Sequence, residues 1–368
     1  MKQTHIETVR VGTMSQSKSS TSPASRFSVQ KHDEGGHAHD EYKIREWWYY
    51  NIVCNHPESD LKNWMIKCSI NSTVDVDSIK LIVHDEKKTT FGSLYERPKG
   101  IVISKTNGVD VSFDKSHIKG MYPNWTVHME NTGMDEKEII VDLRFQAQSR
   151  PVWILKNTGR NRSDSTMGYY FVMNNQAEGT LRIDNTEYVI KGTGYYDHTW
   201  SPYENKEGSS VQIRGNVWDW FLIRLENGWN MFIGKIYPKS RLIPPALMPG
   251  YCCIVTDKGA IFEQFFFQIK YTDFKKSVRA VLNIPKKVDI KLMKINPFIR
   301  SFTSAPFLLK MNYTTASINE FIYTDTPLFG QWDSYGPIEA IMKQGNKKKR
   351  IHGHGIMEYM SYIDALKS

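Results

Sequence analysis

The sequence predicts an all-β chain made of two antiparallel β-barrels in tandem behind a flexible N-terminal tail. Three observations carry that expectation. Apolar and polar residues alternate with a period of two along many short runs, turn signals separate the runs, and hardly one stretch has the 3.6-residue period of an amphipathic helix. Roughly eighteen such runs suit two barrels, because about eight strands make the smallest barrel that encloses a ligand.

Taken in order, residues 1–41 hold no apolar core of the secretory type. The Ser/Thr-rich run from Ser15 to Ser22 buries too little to offset its ordering entropy, so 1–41 reads as a disordered tail. His32, His37 and His39 invite a metal reading there, without thiols nearby to strengthen it. The first barrel is expected over 42–204, with strands at 46–54, 63–71, 78–84, 100–105, 108–114, 124–130, 138–146, 168–173, 179–184 and 187–192. Trp64, Ile66, Cys68 and Ile70 alternate with Lys67, Ser69 and Asn71, and Ile139, Val141, Leu143 and Phe145 with Asp142, Arg144 and Gln146. That is the pattern of strands buried on one face. Asn107-Gly108, Asn131-Thr132-Gly133 and Asn227-Gly228 mark turns. Arg150 to Ser165 reads as a basic loop.

The polar stretch from Tyr203 to Gly208, after Pro202, marks the boundary. The second barrel is expected over 205–368, with strands at 210–216, 218–226, 229–237, 250–257, 260–270, 288–293, 312–318, 320–325 and 351–360. A basic and aromatic insertion at about 270–310 interrupts it. Lysines and arginines there stand beside Pro297-Phe298-Ile299 and Pro306-Phe307-Leu308. Such a stretch suits peripheral contact with an anionic membrane, and the plainer reading is a solvated cover on the barrel rim.

Composition bounds the function. The chain has 368 residues, 40% hydrophobic, with 10 Trp, 19 Tyr and 17 Phe, and a net charge of +9. No run approaches the ~18 apolar residues of a membrane span. The positive charge favours anionic surfaces, but no helix-turn-helix, zinc-finger or RNP pattern accompanies it, so nucleic acid is not an expected partner. Cys54, Cys68, Cys252 and Cys253 are too few for a disulfide scaffold, and reduced thiols in a cytoplasm are the simplest account. No Gly-x-Ser-x-Gly elbow, Walker loop or dinucleotide glycine pattern is present.

The chemistry concentrates in Gly192-Thr193-Gly194-Tyr195-Tyr196-Asp197-His198-Thr199-Trp200-Ser201 and in Trp218-Asp219-Trp220-Phe221. Together with Glu46-Trp47-Trp48-Tyr49-Tyr50 and a closing Gly353-His354-Gly355-Ile356-Met357-Glu358, these motifs resemble the carotenoid 1,2-hydratase (hydroxyneurosporene synthase) family. That family belongs to the broader lipocalin-like AttH-type proteins, which also resemble fungal Diels–Alderases. The resemblance runs from about Tyr42 onward. It implies lipocalin-like barrels, an apolar ligand of isoprenoid, carotenoid or polyketide type, and a lyase reaction without a cofactor. In the hydratases a His and a Trp precede the Asp-His motif by one strand; here the stretch reads Met167-Gly168-Tyr169-Tyr170-Phe171-Val172.

Adding water to a terminal alkene needs a proton donor able to make a tertiary carbocation. A carboxylic acid kept neutral in an apolar pocket can serve, and Asp197 is the expected acid. His198 and Tyr195 join it as catalytic candidates; Trp48, Tyr50, Trp200, Trp218, Trp220 and Glu46 are expected to line the substrate site. On a regular strand His198 points away from Asp197, and a bend at Gly192-x-Gly194 would bring both to one pocket. By the same rule Trp47 and Trp48 cannot both line one cavity. Glu46 is expected to pair with Arg45 or Arg214, or to face the pocket as a second carboxylate. His352-x-His354 offers two imidazoles on one strand face, but no metal is expected because further ligands are not visible. Two further readings stand beside the enzyme: a lipid carrier that does no chemistry, and an oligomeric envelope or stress protein whose tryptophans are interface.

Overall fold

In a computed structural model the chain is almost entirely β-structure. The structure describes residues 27–37, 42–85, 90–132, 137–156, 167–205, 217–237, 250–265, 267–276, 283–292, 307–322 and 329–362. A single short helix, α1 (Lys31–Glu34), precedes the first sheet among these residues. That sheet contains β1 (Tyr42–Val53), β2 (Met65–Ser72), β3 (Val76–His84), β4 (Thr90–Pro98), β5 (Ile103–Ser104), β6 (Val109–Phe113), β7 (Ser116–Met121), β8 (Asn124–Thr132), β9 (Glu138–Ala147), β10 (Val152–Leu155), β11 (Gly168–Ile183) and β12 (Thr186–Asn205). The second contains β13 (Val217–Leu225), β14 (Asn230–Tyr237), β15 (Gly250–Val255), β16 (Ile261–Gln264), β17 (Phe267–Lys276), β18 (Asn283–Leu292), β19 (Leu308–Thr314), β20 (Ser317–Ile322), β21 (Phe329–Gln344) and β22 (Lys347–Tyr362).

Each sheet pairs its first strand with its last and spreads antiparallel neighbours outward from that pair. The orders are β4-β3-β2-β1-β12-β11-β9-β8-β7-β6-β5, with β10 beside β11, and β16-β15-β14-β13-β22-β21-β19-β18-β17, with β20 beside β21. The first sheet curls until Asn131 Nδ2 of β8 donates to the carbonyl of Ser93 in β4 at 3.0 Å. One core fills each sheet's concave side. A third joins them, built from Tyr49, Met65, Phe171, Tyr195, Trp220 and Phe232 among others.

That third core explains where alternation holds and where it fails. In β9, Ile139, Val141, Leu143 and Phe145 are buried while Asp142, Arg144 and Gln146 are exposed, as a strand with one wet face requires. In β2, Met65 to Ile70 are buried without a break. Lys67, expected on a polar outer face, is 1% exposed because the second sheet covers that face. The adjacent Cys252 and Cys253 divide the same way, one into the second sheet's core and one into the shared core, and all four cysteines are buried and outside any disulfide.

Several expectations need correction. Residues 27–37, placed by composition in a disordered tail, pack on the first barrel: Asp33 and Glu34 are buried, and Trp153 Nε1 donates to the carbonyl of Ser28 at 2.8 Å. Residues 1–26 and His39 lie outside the described residues. The runs 168–173 and 179–184 are one strand, β11, with a register shift between Val172 and Asn175 and a left-handed Asn174 (φ 58°). A bulge of this kind mimics a turn in sequence. No bend follows Gly192. β12 continues to Asn205, past the start of the supposed boundary, and a Cβ on Gly192 would collide with the Val53 carbonyl, so that glycine serves close strand approach.

The Arg150–Ser165 stretch supplies β10 before it leaves the described residues. Part of the supposed insertion at 270–310 is the paired strands β17 and β18, whose Ile284, Val288, Ile290 and Leu292 are buried while Lys286 and Lys287 are exposed. Positions 210–216 and the Pro297–Phe302 run fall outside the described residues. β4, β7 and β21 lie where no run was expected, since their alternation is broken by Gly, Pro and charged residues.

Candidate functional site

Strand parity sorts the candidate residues. β12 lies between β1 and β11, with Asp197 opposite Tyr49 and Phe171, and His198 opposite Trp48 and Tyr170. Since β12 is regular here, odd and even positions leave by opposite faces. Asp197 and Tyr195 enter the core shared by the two sheets, while His198, Tyr196 and Trp200 enter the interior of the first.

On the shared face, Asp197 is 3% exposed. Tyr195 Oη donates to its Oδ2 at 2.8 Å; the Tyr169 hydroxyl stands 3.5 Å from the same oxygen and accepts from Trp220 Nε1 at 3.2 Å. Oδ1 is buried with no hydrogen-bond partner. Burial pushes the Asp197 carboxyl well above the usual carboxylate range, against the lowering effect of Tyr195, and the nearby Glu358 carboxylate adds to the rise. A neutral carboxylic acid fits this geometry: Oδ2 accepts from Tyr195 and Oδ1 carries the proton. Rings of Tyr49, Tyr195 and Phe232 lie 5.6–5.9 Å from the Trp220 ring.

Beside this acid lies a buried ion cluster. Lys67 Nζ bonds both Asp333 of β21 and Glu358 of β22, Lys80 Nζ is 3.8 Å from Asp333, and Gln331 Nε2 donates to Asp333 at 2.9 Å. Burial pushes Asp333 upward, but the ammonium groups of Lys67 and Lys80 outweigh it and hold the carboxylate below its usual range. Arg224 Nη2 donates to Asn51 Oδ1 at 3.2 Å, a further polar tie between the sheets.

On the inner face, His198 is fully buried, with Nε2 2.8 Å from Glu46 Oε1 and Nδ1 3.0 Å from the Asp33 carbonyl. Burial drives this imidazole toward its neutral form although Glu46 pulls the other way. His37 Nδ1 lies 2.7 Å from Glu46 Oε1, and its ring stacks on Trp200 at 3.7 Å. Burial raises Glu46, but its two imidazole neighbours outweigh that and hold it low. Glu34 accepts from Trp125 Nε1 at 2.9 Å and from the Tyr122 backbone at 2.9 Å, and burial pushes its carboxyl up to about 7.

A pH dependence follows from Glu34. Its folded pKa is raised, so the stability it adds is complete below the unfolded value of about 4.5 and is lost as pH rises through about 7. At ~1.4 kcal/mol per unit this amounts to about 3 kcal/mol. Urea unfolding between pH 5 and 8 should show that decline, and Glu34→Gln should flatten it; an unchanged slope in the variant would assign the decline to other groups.

The nine candidate residues therefore do not form one pocket. Asp197, Tyr195 and Trp220 meet between the sheets, with Trp218 half-buried against them; His198, Glu46, Trp48, Tyr50 and Trp200 lie on the other side of the strands. His198 cannot orient a water for Asp197. Glu46 pairs with His198 and His37 and does not face the acid; Arg214 lies outside the described residues. Residues not foreseen are Tyr169, which occupies the stretch where the resemblance implies a His and a Trp, and Tyr49, Lys67 and Asp333; His37, singled out only as a metal ligand of the tail, meets Glu46 here. Tyr49 was within reach of sequence reasoning, since it shares parity with Trp47 and not with Trp48. Asp333 and Lys67 are 266 positions apart and carried no such signal.

Two clefts open nearby. One of about 630 Å³ is lined by Phe27, Tyr122, Ser149 and Arg150 from the first unit and by Gly259 and Ile261 from the second. Phe27 and Ile261 also pack on the shared core. The other, about 400 Å³, lies beside Trp125, Arg144 and Gln176 on the first sheet. His352 is exposed and His354 stacks on Tyr335 at 5.7 Å; among the described residues neither joins a set of three metal-ligand side chains. Among the described residues His37, Glu46 and His198 make such a set, their ligand atoms within 4.8 Å of one another. No helix among the described residues is long and apolar enough to cross a membrane.

These features define a lipocalin-like fold of the AttH type, with two antiparallel sheets in tandem and a sealed carboxyl between them. No family model and no curated protein matches the sequence. Among solved structures the chain resembles an AttH-type protein from Nitrosomonas europaea, with a TM-score of 0.62 and 13% identity over 93% of this chain and 99% of that one. Kievitone hydratase from Nectria haematococca gives 0.59 and 12% over 92% and 91%. CghA gives 0.52 and 9% over 92% and 96%. At such identities the likeness carries the fold.

Proposed function

We propose that this chain is an enzyme that protonates an apolar, isoprenoid-like substrate with Asp197, without a cofactor in that step. The observation that supports this reading is the Asp197 carboxyl: buried among aromatic rings, held by Tyr195 through one oxygen and unpartnered at the other. Protonation forms a C–H bond at the less substituted carbon of the terminal trisubstituted alkene and breaks the acid's O–H, leaving a tertiary cation on the other alkene carbon beside a carboxylate still bonded to Tyr195. Water then adds to the cation, and the proton it loses restores the acid. Indole and phenol faces of Trp220, Tyr195 and Tyr49 stabilise the cation. Hydration of a carotenoid end group is the finer reading, drawn from the motif resemblance; a cyclisation started by the same acid is its nearest variant, and a polyketide the nearest other substrate. That one similar fold is a hydratase is consistent with this chemistry. The cleft at Phe27 and Ile261 is the proposed entrance.

The test is incubation with acyclic polyenes bearing a terminal trisubstituted alkene in D₂O. One deuteron fixed per molecule of hydrated or cyclised product is expected. Ligand retained without deuterium uptake would instead make the protein a carrier.

Substrate of this kind resides in membranes, and the β17–β18 pair presents Phe274, 48% exposed, beside Lys275, Lys276, Lys286 and Lys287. Binding to vesicles rich in anionic lipid is expected, weakening in high salt and falling several-fold in Phe274→Ser. Equal binding to neutral vesicles would remove this role.

A further inference from the structure

Both ring nitrogens of His198 have partners, but the oxygen that meets its Nε2 is shared with a second imidazole. His198 Nδ1 faces the carbonyl oxygen of Asp33 at 3.0 Å, an acceptor only, so that nitrogen carries the hydrogen. Nε2 lies 2.8 Å from a carboxylate oxygen of Glu46, a contact in which it donates as an imidazolium or, when neutral, offers a lone pair to a cation. A second imidazole nitrogen, Nδ1 of His37, approaches the same oxygen at 2.7 Å. Three ligand atoms, two imidazole nitrogens and a carboxylate oxygen, thus converge where Glu46 and His198 are almost wholly buried.

We propose that His37 Nδ1, the Glu46 carboxylate and His198 Nε2 bind one divalent transition-metal cation of the zinc class. Two imidazoles and a carboxylate are a donor set that zinc accepts, with a fourth position left for water. The surroundings are those of a built site. The Asp33 carbonyl fixes the His198 tautomer that leaves Nε2 free, and the His37 backbone N–H donates to both Glu46 oxygens at 3.2 and 3.0 Å. Trp48 stacks on His198 at 4.9 Å and Trp200 on His37 at 3.7 Å, which sets both ring planes.

Ligand atoms about 2.0–2.1 Å from a tetrahedral zinc are about 3.3 Å apart, so the ion must part each imidazole nitrogen from the Glu46 oxygen by roughly half an ångström. His37, whose side chain is 17% exposed at the end of the N-terminal segment, has room to move. The bound ion would clamp residues 27–37 to β1 and β12 and so close the first barrel. This site is on the opposite face of β12 from Asp197 and does not depend on the acid reading.

The test uses the full chain, stripped by chelator and dialysed, titrated with Zn²⁺ and separately with Co²⁺. One equivalent should bind, Co²⁺ should give visible ligand-field bands, and Zn²⁺ should raise Tm by several degrees. His37→Ala, which removes a partly exposed ligand outside both sheets, should weaken binding at least about tenfold. Glu46→Gln should abolish it, and Asp197→Asn should leave it unchanged. No saturable binding of either ion up to millimolar, the result expected of a shared proton, overturns the site. So does stoichiometric binding that His37→Ala leaves intact, and this holds even where Glu46→Gln fails to fold.

Discussion

Replacing Asp197 by asparagine is expected to lower product formation by about 10²–10⁴-fold while the protein stays folded and still binds its apolar ligand. The amide keeps an oxygen to accept from Tyr195, so the 2.8 Å bond has a successor, but it has no acidic proton to give. Stability should hold or rise slightly, because a carboxyl that burial disfavours is removed. Ligand binding followed by quenching of tryptophan fluorescence, alongside product analysis, separates the two effects. Unchanged turnover would dismiss Asp197 as the acid. On the proposed acid role, the wild-type protein should remain active well above the ordinary carboxylate range and fail only on the alkaline side, where Asp197 ionises; Tyr195→Phe should move that alkaline limit upward, since the hydroxyl stabilises the carboxylate.

Lys67→Met is expected to destabilise the fold by about 3–5 kcal/mol, the largest effect on stability anticipated for a single polar substitution here. The ammonium joins Asp333 and Glu358 across the two sheets, and its loss leaves two carboxylates facing each other with Lys80 at 3.8 Å as partial compensation. Because the folded pKa of Asp333 is depressed, its contribution is present above the ordinary carboxylate range and is lost as pH falls through the folded value. Acid should therefore harm the wild type more than the variant. Adding Asp333→Leu and Glu358→Gln to Lys67→Met should recover most of the loss, since no uncompensated charge is then buried. Denaturant unfolding of the set measures this; a loss below about 1 kcal/mol for the single variant would mean that solvent reaches the cluster.

Short-range pattern determined a good deal. Alternation set the all-β class and most flanking strands, as in β9, because those strands have one wet face and record it in their side chains. Asn107-Gly108 and Asn227-Gly228 marked turns whose glycines have φ of 72° and 81°. The motif around Asp197 was visible as a crowd of aromatics, and the parity rule alone foretold that Trp47 and Trp48 diverge. Tertiary structure decided the rest. β12 and β2 are buried on both faces: β12 carries no clear alternation, the alternation of β2 marks as wet a face that the second sheet covers, and Asp197 and His198 were assigned to one pocket when two separate cores receive them. Lys67 with Asp333, Glu46 with His37 and His198, and Glu34 with Trp125 are meetings across sheets or between a terminal segment and a barrel. Contacts of that kind are fixed by how finished sheets pack, and leave no mark in the local order of residues.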